Sequence, residues 1–231
     1  LVGSEMCIRD SPRAVIFFGP DGAGKSTQAR LLIKYLESRE CRVWWTWIRG
    51  RHSLAFVLSD FFVRLGYYDT VRTCGVTHKV FDPHLIPKLQ RVWILIESIS
   101  VLPWVITRMY LPIVLGYTVV AERYVIDTLA HIGYWSFPGI SRSLLSRVLL
   151  CFIPRDSVLI YLGARTQVLL DRIKDDIVGY DFIEFQRKIY RAYAETLNAA
   201  FVDTSERSIG ETFQQILSIL KQAFLSRDKS G

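Results

Sequence analysis

The sequence predicts a three-layer α/β fold, a five-stranded parallel sheet with helices on both faces. Three observations predict it. Short apolar runs alternate with helix-spaced segments along the whole chain. Residues 19–27, G-P-D-G-A-G-K-S-T, fit the phosphate-binding pattern G-x-x-x-x-G-K-[ST] and lie between one such run and one such helix. A chain of 231 residues, 50% of them hydrophobic, is long enough for one α/β domain with a full core.

The elements follow in order. Residues 13–18 are a short apolar run, as a buried parallel strand requires. After the loop, Ala29, Leu32, Ile33 and Leu36 share one side of a helix that runs to about residue 38. Residues 41–48 are β-branched and aromatic and read as the second strand. Residues 53–65 read as an apolar helix, 66–82 as a polar loop, and 84–108 as a long helix bent at Pro103. The third strand, 117–121, ends in Glu122-Arg123-Tyr124. Helical segments at 126–134 and 141–151 precede a fourth strand at 157–162. A helix at 166–173, a polar stretch at 174–179 and a long helix at 181–197 lead to the fifth strand, 200–203, and a last helix, 209–225. In an open parallel sheet the ligand sits at the carboxyl ends of the strands.

The loop chemistry is specific. Glycines let successive backbone N–H groups turn inward toward phosphate oxygens, and the following helix points its positive end at the same anion. Gly19, Gly22, Ala23, Gly24, Lys25, Ser26 and Thr27 form the expected nucleotide-binding set. Lys25 reaches the outer phosphates, and the Ser26 hydroxyl is placed for Mg²⁺. Glu122, at the end of a strand, suits the same Mg²⁺, and the planar guanidinium of Arg123 suits a phosphate. The implied cofactors are ATP and Mg²⁺.

Bulk properties exclude several classes. The net charge of +7 suits a polyphosphate substrate, but the basic residues are scattered, which argues against a nucleic-acid-binding stripe. Four cysteines at 7, 41, 74 and 151 show no C-x-x-C spacing, so a reducing, cytoplasmic location is expected. His52 and His131 lack clustered metal-ligand partners and read as rim or core histidines. The apolar region 92–121 is interrupted by Arg108, Pro103 and Pro112, and reads as a core helix feeding a strand rather than a transmembrane segment. A dimer face or a monotopic membrane contact there stays open. Residues 1–11 resemble the translation of a sequencing adaptor and are expected to be an artefact outside the fold, leaving 12–231 as one domain.

The loop with Asp21-Gly22-Ala23-Gly24-Lys25-Ser26-Thr27 and the following Glu122-Arg123-Tyr124 resemble the thymidylate kinase family. Its members carry D-G-x-G-K-[ST]-T and an Asp-Arg-Tyr-type motif. The resemblance runs over residues 14–220 and includes Phe182, Arg187 and Tyr190 in F-x-x-x-x-R-x-x-Y. It implies a P-loop kinase fold that transfers a phosphoryl group from ATP to a nucleoside monophosphate, with dTMP to dTDP the first expectation. It implies Asp21 on the acceptor sugar, Lys25 on the transferred group, Ser26 at the metal, and Glu122, in place of the family's Asp, at the metal or the acceptor phosphate. It also implies Arg123 on the acceptor phosphate and Arg172 as lid arginine in a lid at about 172–181, with Lys174 second. A small-molecule nucleotide partner and a homodimer are implied as well. Arg49 is a further candidate for the acceptor phosphate, although Arg49-Gly50-Arg51-His52-Ser53 stands where the family has Arg-Glu-Pro-Gly-Gly. Two other readings remain: a kinase of the same fold acting on a deoxynucleoside or a non-nucleotide phosphate, and a non-catalytic ATP-binding regulator.

Overall fold

The computed structural model describes residues 12–48, 68–73, 76–81, 87–135, 139–173 and 179–228, with single helical positions at 58, 61 and 64. Residues 1–11, Arg49, Arg51, His52 and the 174–178 part of the expected lid lie outside the described residues.

The strands are β1 (Ala14–Phe18), β2 (Val43–Thr46), β3 (Tyr68–Thr73), β4 (Val76–Phe81), β5 (Thr118–Ala121), β6 (Ser157–Gly163) and β7 (Ala200–Asp203). Five of them form one sheet in the order β2-β5-β1-β6-β7, with every pair parallel. Parallel neighbours need crossover connections, and helices supply them on both faces.

β1 shows why two layers of helix are needed. All five of its residues, A-V-I-F-F, are buried. Alternation sends Ala14, Ile16 and Phe18 into one hydrophobic cluster and Val15 and Phe17 into the other. The second cluster is closed by α1 (Lys25–Glu37), through Ala29, Leu32 and Leu36, and by a C-terminal helix (Ile209–Asp228), through Ile216 and Leu220. The first is closed by α2 (Pro87–Ser100), α3 (Leu102–Val105), α4 (Leu111–Val114), α5 (Val125–Trp135) and α6 (Leu144–Leu150). Between β6 and β7, α7 (Thr166–Ile173) leads to α8 (Tyr180–Thr196), which carries Ile189, Tyr190 and Tyr193 to the first cluster. The C-terminal helix is then α9.

Two expectations change. Residues 66–82 contain an antiparallel pair, β3 with β4, in place of a loop. The sequence T-V-R-T-C-G-V-T-H-K-V sets β-branched residues on either side of Cys74-Gly75, which is a hairpin signal. The prolines of the 92–121 region also do not break its helix. Pro103 and Pro112 sit in the first turns of α3 and α4, where a missing N–H costs little, and a π-helical turn (Ile106–Tyr110) joins them. Ile94–Val114 is therefore a 21-residue apolar stretch, long enough to cross a membrane by length and composition, and a third of it is buried in the protein.

Candidate active site

Register brings the two sequence motifs together. β1 pairs with β5 through Ile16 and Ala121, so Glu122 and Arg123 leave the sheet beside the residues that open the loop. On the other side β1 pairs with β6, and a Cβ at Gly19 would lie 2.0 Å from the Leu162 carbonyl oxygen. Gly19 has φ +142°, and Gly22, with φ +80°, passes so close to α7 that a Cβ would come 2.9 Å from the Leu169 oxygen. Only glycine allows both backbone conformations and both approaches.

Helix α1 starts at Lys25, whose side chain is 5% exposed. Its Nζ donates to the carbonyl oxygens of Gly19 and Pro20, each at 2.7 Å. Burial, followed by the nearby positive charge of Arg123, lowers its pKa to about 8. Asp21 Oδ1 lies 3.9 Å from Nζ and acts the other way.

One residue on, the Ser26 hydroxyl donates to Glu122 Oε1. A hydroxyl and a carboxylate held together are hard oxygen donors of the kind Mg²⁺ prefers. Among the described residues no group of three His, Cys, Asp or Glu is arranged to hold a metal. A cation here would have these two side chains and the oxygens of a bound phosphate, the usual sparse protein set for Mg²⁺.

Arg123 is the centre of a second polar cluster, facing the loop. Its Nη2 lies 2.5 Å from Asp21 Oδ1 and its Nη1 3.9 Å from Asp127 Oδ1. Burial works against its charge, but Asp21 and Asp127 outweigh that and hold the guanidinium above its ordinary pKa. Asp127 is itself buried, which raises its pKa against the opposing pull of Arg123 and Lys25. Asp127 Oδ2 accepts the Tyr124 N–H at 3.1 Å, and Oδ1 accepts the Tyr190 hydroxyl at 2.9 Å. Asp127 thus caps the first turn of α5 and braces Arg123.

Sequence reading missed Gln186. It exchanges two hydrogen bonds with Asp21: the Asp21 N–H donates to Oε1 at 2.9 Å, and Nε2 donates to Oδ2 at 3.1 Å. The available signal was a polar residue on the buried face of α8, in line with Phe182, Ile183, Ile189, Tyr190 and Tyr193. Tyr190 joins the site, whereas Arg187 turns to Thr166 and Glu184 on another side of α8.

Arg172, at the end of α7, is tied down. It donates to Thr204 Oγ1 at 2.9 Å and to the Thr204 carbonyl at 2.6 Å, with the Gly22 carbonyl at 3.5 Å. It therefore flanks the loop from the β7 side. A cavity of about 410 Å³ opens over the loop, with Lys25, Ser26, Arg123, Arg172 and Arg207 among its walls. Four cations around a glycine cradle form a polyanion site by charge and by backbone geometry.

No family model matches the sequence, and no curated protein sequence matches it. Solved structures do share the fold. The thymidylate kinase from Ehrlichia chaffeensis superposes with a TM-score of 0.55 at 16% identity, over 91% of this chain and 99% of its own. The deoxyadenosine kinase from M. mycoides with bound dCTP gives 0.51 at 14% identity, over 90% and 99%. At these identities the likeness shows a common fold.

Proposed function

We propose that this protein transfers the γ-phosphoryl group of ATP to a nucleoside monophosphate, with dTMP the first candidate. One observation carries the reading. Asp21 of the phosphate loop meets Arg123 from β5 at 2.5 Å, directly beside Lys25 and the Ser26–Glu122 pair. The cavity thus has a donor side, at the loop, and an acidic-basic acceptor side a few ångströms away. The thymidylate kinase and deoxyadenosine kinase that share the fold support the reaction class.

Mechanistically, phosphoryl transfer needs alignment and charge neutralisation more than covalent help. Lys25 leaves the Gly19 and Pro20 carbonyls to meet the phosphates. Ser26 and Glu122 would hold Mg²⁺, which would supply charge neutralisation for the phosphates. Arg123 orients the acceptor, with Asp21 and Asp127 fixing its plane. Arg172 closes the loop side. Asp21 contacts the acceptor sugar through the oxygens that Gln186 and Arg123 now occupy.

A second reading is favoured by one feature. Arg123 already faces two carboxylates, which reduces the net positive charge offered to an acceptor phosphate. An unphosphorylated deoxynucleoside fits such a site. Labelled ATP with a panel of nucleosides and nucleoside monophosphates separates the two. Transfer to thymidine but not to dTMP selects the second, and undiminished dTMP phosphorylation by Lys25→Ala refutes the site assignment altogether.

The chain is further proposed to work as a homodimer in a reducing, cytoplasmic setting. Val92, Leu95, Ile99, Ile106, Leu111 and Val114 are exposed along the 87–114 helical stretch. Light scattering that reports a monomer for the native chain, or a dimer unchanged by Ile106→Glu, refutes this.

A further inference from the structure

A second groove, of about 480 Å³, lies outside the site described above, between α8 and the edge strand β7. Its floor is aromatic. Phe201 is 54% exposed, and its ring packs on Tyr161 at 5.2 Å between centroids and 31°. Tyr161 in turn stacks on the fully buried Phe18 at 5.6 Å and 23°. Three rings thus run from the core to the surface, and the outermost belongs to an exposed residue. Gly163 makes room for the stack: a Cβ there would come 2.9 Å from the Phe201 ring and 3.2 Å from the Tyr161 hydroxyl.

The groove's cations are the exposed ones. Arg165, Lys188 and Arg191 have side chains 63%, 76% and 75% exposed. Two of the carboxylates among them are engaged in holding backbone and helix. Asp203 Oδ1 accepts the Ser205 N–H at 2.8 Å, and Glu184 accepts the Thr166 hydroxyl at 2.7 Å and Arg187 at 2.9 Å. Glu195 and Glu206 form solvent-exposed pairs with Arg191 and Arg165, contacts that exchange readily for a phosphate.

An exposed aromatic residue with three exposed cations around it, among them Lys188 at 4.0 Å from Glu184, suits a ligand that has both a flat heterocycle and a phosphate. We propose that this groove is a second, regulatory binding site for a free nucleoside phosphate, with the base on Phe201 and the phosphates on Arg165, Lys188 and Arg191. The groove is wired to the loop. Helix α8 turns Glu184 and Arg187 toward the groove while Gln186, between them, holds Asp21. The Arg165 N–H donates to Ser205 Oγ, next to the Thr204 that anchors Arg172. An occupant that shifts α8 or the end of β7 therefore acts on Asp21 and Arg172 together.

The test is calorimetric titration of dTTP into the full chain with AMP-PNP and Mg²⁺ already filling the loop cavity. One equivalent of dTTP is expected to bind, more weakly at high salt. Phe201→Leu should weaken it at least fivefold and Phe201→Tyr should preserve it. Lys188→Glu with Arg191→Glu should weaken it at least tenfold while AMP-PNP affinity stays unchanged, which also reports an intact fold. No dTTP binding, or binding equal in the native, Phe201→Leu and charge-reversed proteins, overturns the proposal. A dT oligonucleotide that binds the groove more tightly than dTTP overturns the mononucleotide assignment. Because the loop cavity is filled beforehand and no phosphoryl transfer is read, the result does not depend on the proposed reaction.

Discussion

The Asp21–Arg123 pair should be the strongest single polar coupling in the site, and a double-mutant cycle measures it. The perturbations are Asp21→Ala, Arg123→Met and the two combined. The two side chains are 20% and 14% exposed and meet at 2.5 Å, so the pair is neither a surface bridge nor a fully buried one. Exposed pairs couple by roughly 0.2–1 kcal/mol, and breaking a fully buried pair costs about 3–5 kcal/mol. An intermediate coupling of about 2 kcal/mol follows, in line with a charge-assisted hydrogen bond at about 1.5–3 kcal/mol. Asp21→Ala should be the more damaging single change. It also removes the carboxylate that Gln186 holds and, among the described residues, leaves Arg123 with the carboxylate of Asp127, at 3.9 Å. Urea unfolding of the four proteins gives the coupling free energy. A value below about 0.5 kcal/mol, with the unfolding slope unchanged, would mean that the pair is a surface contact and that Arg123 is not fixed by the loop.

Other predictions address the same network. Asp127→Ala strips partners from the Tyr124 N–H and the Tyr190 hydroxyl and should cost about 2–4 kcal/mol by thermal or urea unfolding, with Asp127→Asn milder; equal stability of the alanine variant refutes the bracing role. Nucleotide affinity should be flat below pH 8 and fall above it. Lys25, at about 8, loses its charge there, and a bound polyphosphate favours the charged form, so binding takes up a proton between about pH 8 and the ordinary lysine value; titration in buffers of different ionisation enthalpy reads that proton. The same shift makes folding stability rise with pH between about 8 and the unfolded value, since the buried charge is then released. Gly19→Ala places a methyl 2.0 Å from the Leu162 oxygen at φ +142°, so it should abolish nucleotide binding or folding, whereas Gly210→Ala, with open space around it, should keep both.

Much of the fold was legible because its signals are local. The apolar run 13–18, the loop glycines and the alternation of short strands with helices each follow from a few consecutive residues, and β1, α7 and β7 lie within one residue of their expected bounds. The β3–β4 pair was misread because Asp69, Arg72, His78 and Lys79 interrupt its β-branched residues. The helical stretch 87–114 was cut short because proline was weighed as a breaker, although at a first turn it removes no hydrogen bond. Gln186 stayed hidden because its partner, Asp21, lies 165 positions away. Nothing local marks such a contact except a polar residue on an apolar helix face.

Strand order supplies what the sequence lacked. Glu122 and Ser26 are 96 positions apart, and they meet because β5 lies next to β1 and not at the sheet edge. With β2 outside β5, the Ile48 N–H donates to the Arg123 carbonyl and the Glu122 N–H to the Thr46 carbonyl. The Glu122-Arg123 backbone is thus held by β2 on one side while β5 pairs with β1 on the other, before any ligand arrives. Preorganisation of this kind is what phosphoryl transfer requires, since its transition state gains from fixed charge and loses when charges must move. Lys25 is the exception. It rests on its own loop carbonyls, so under the proposed reading a phosphate draws it out, and the site is prearranged around the acceptor and adjusts around the donor. If that asymmetry is correct, acceptor-side substitutions such as Arg123→Met change turnover without abolishing ATP binding, and substitutions of Lys25 change both.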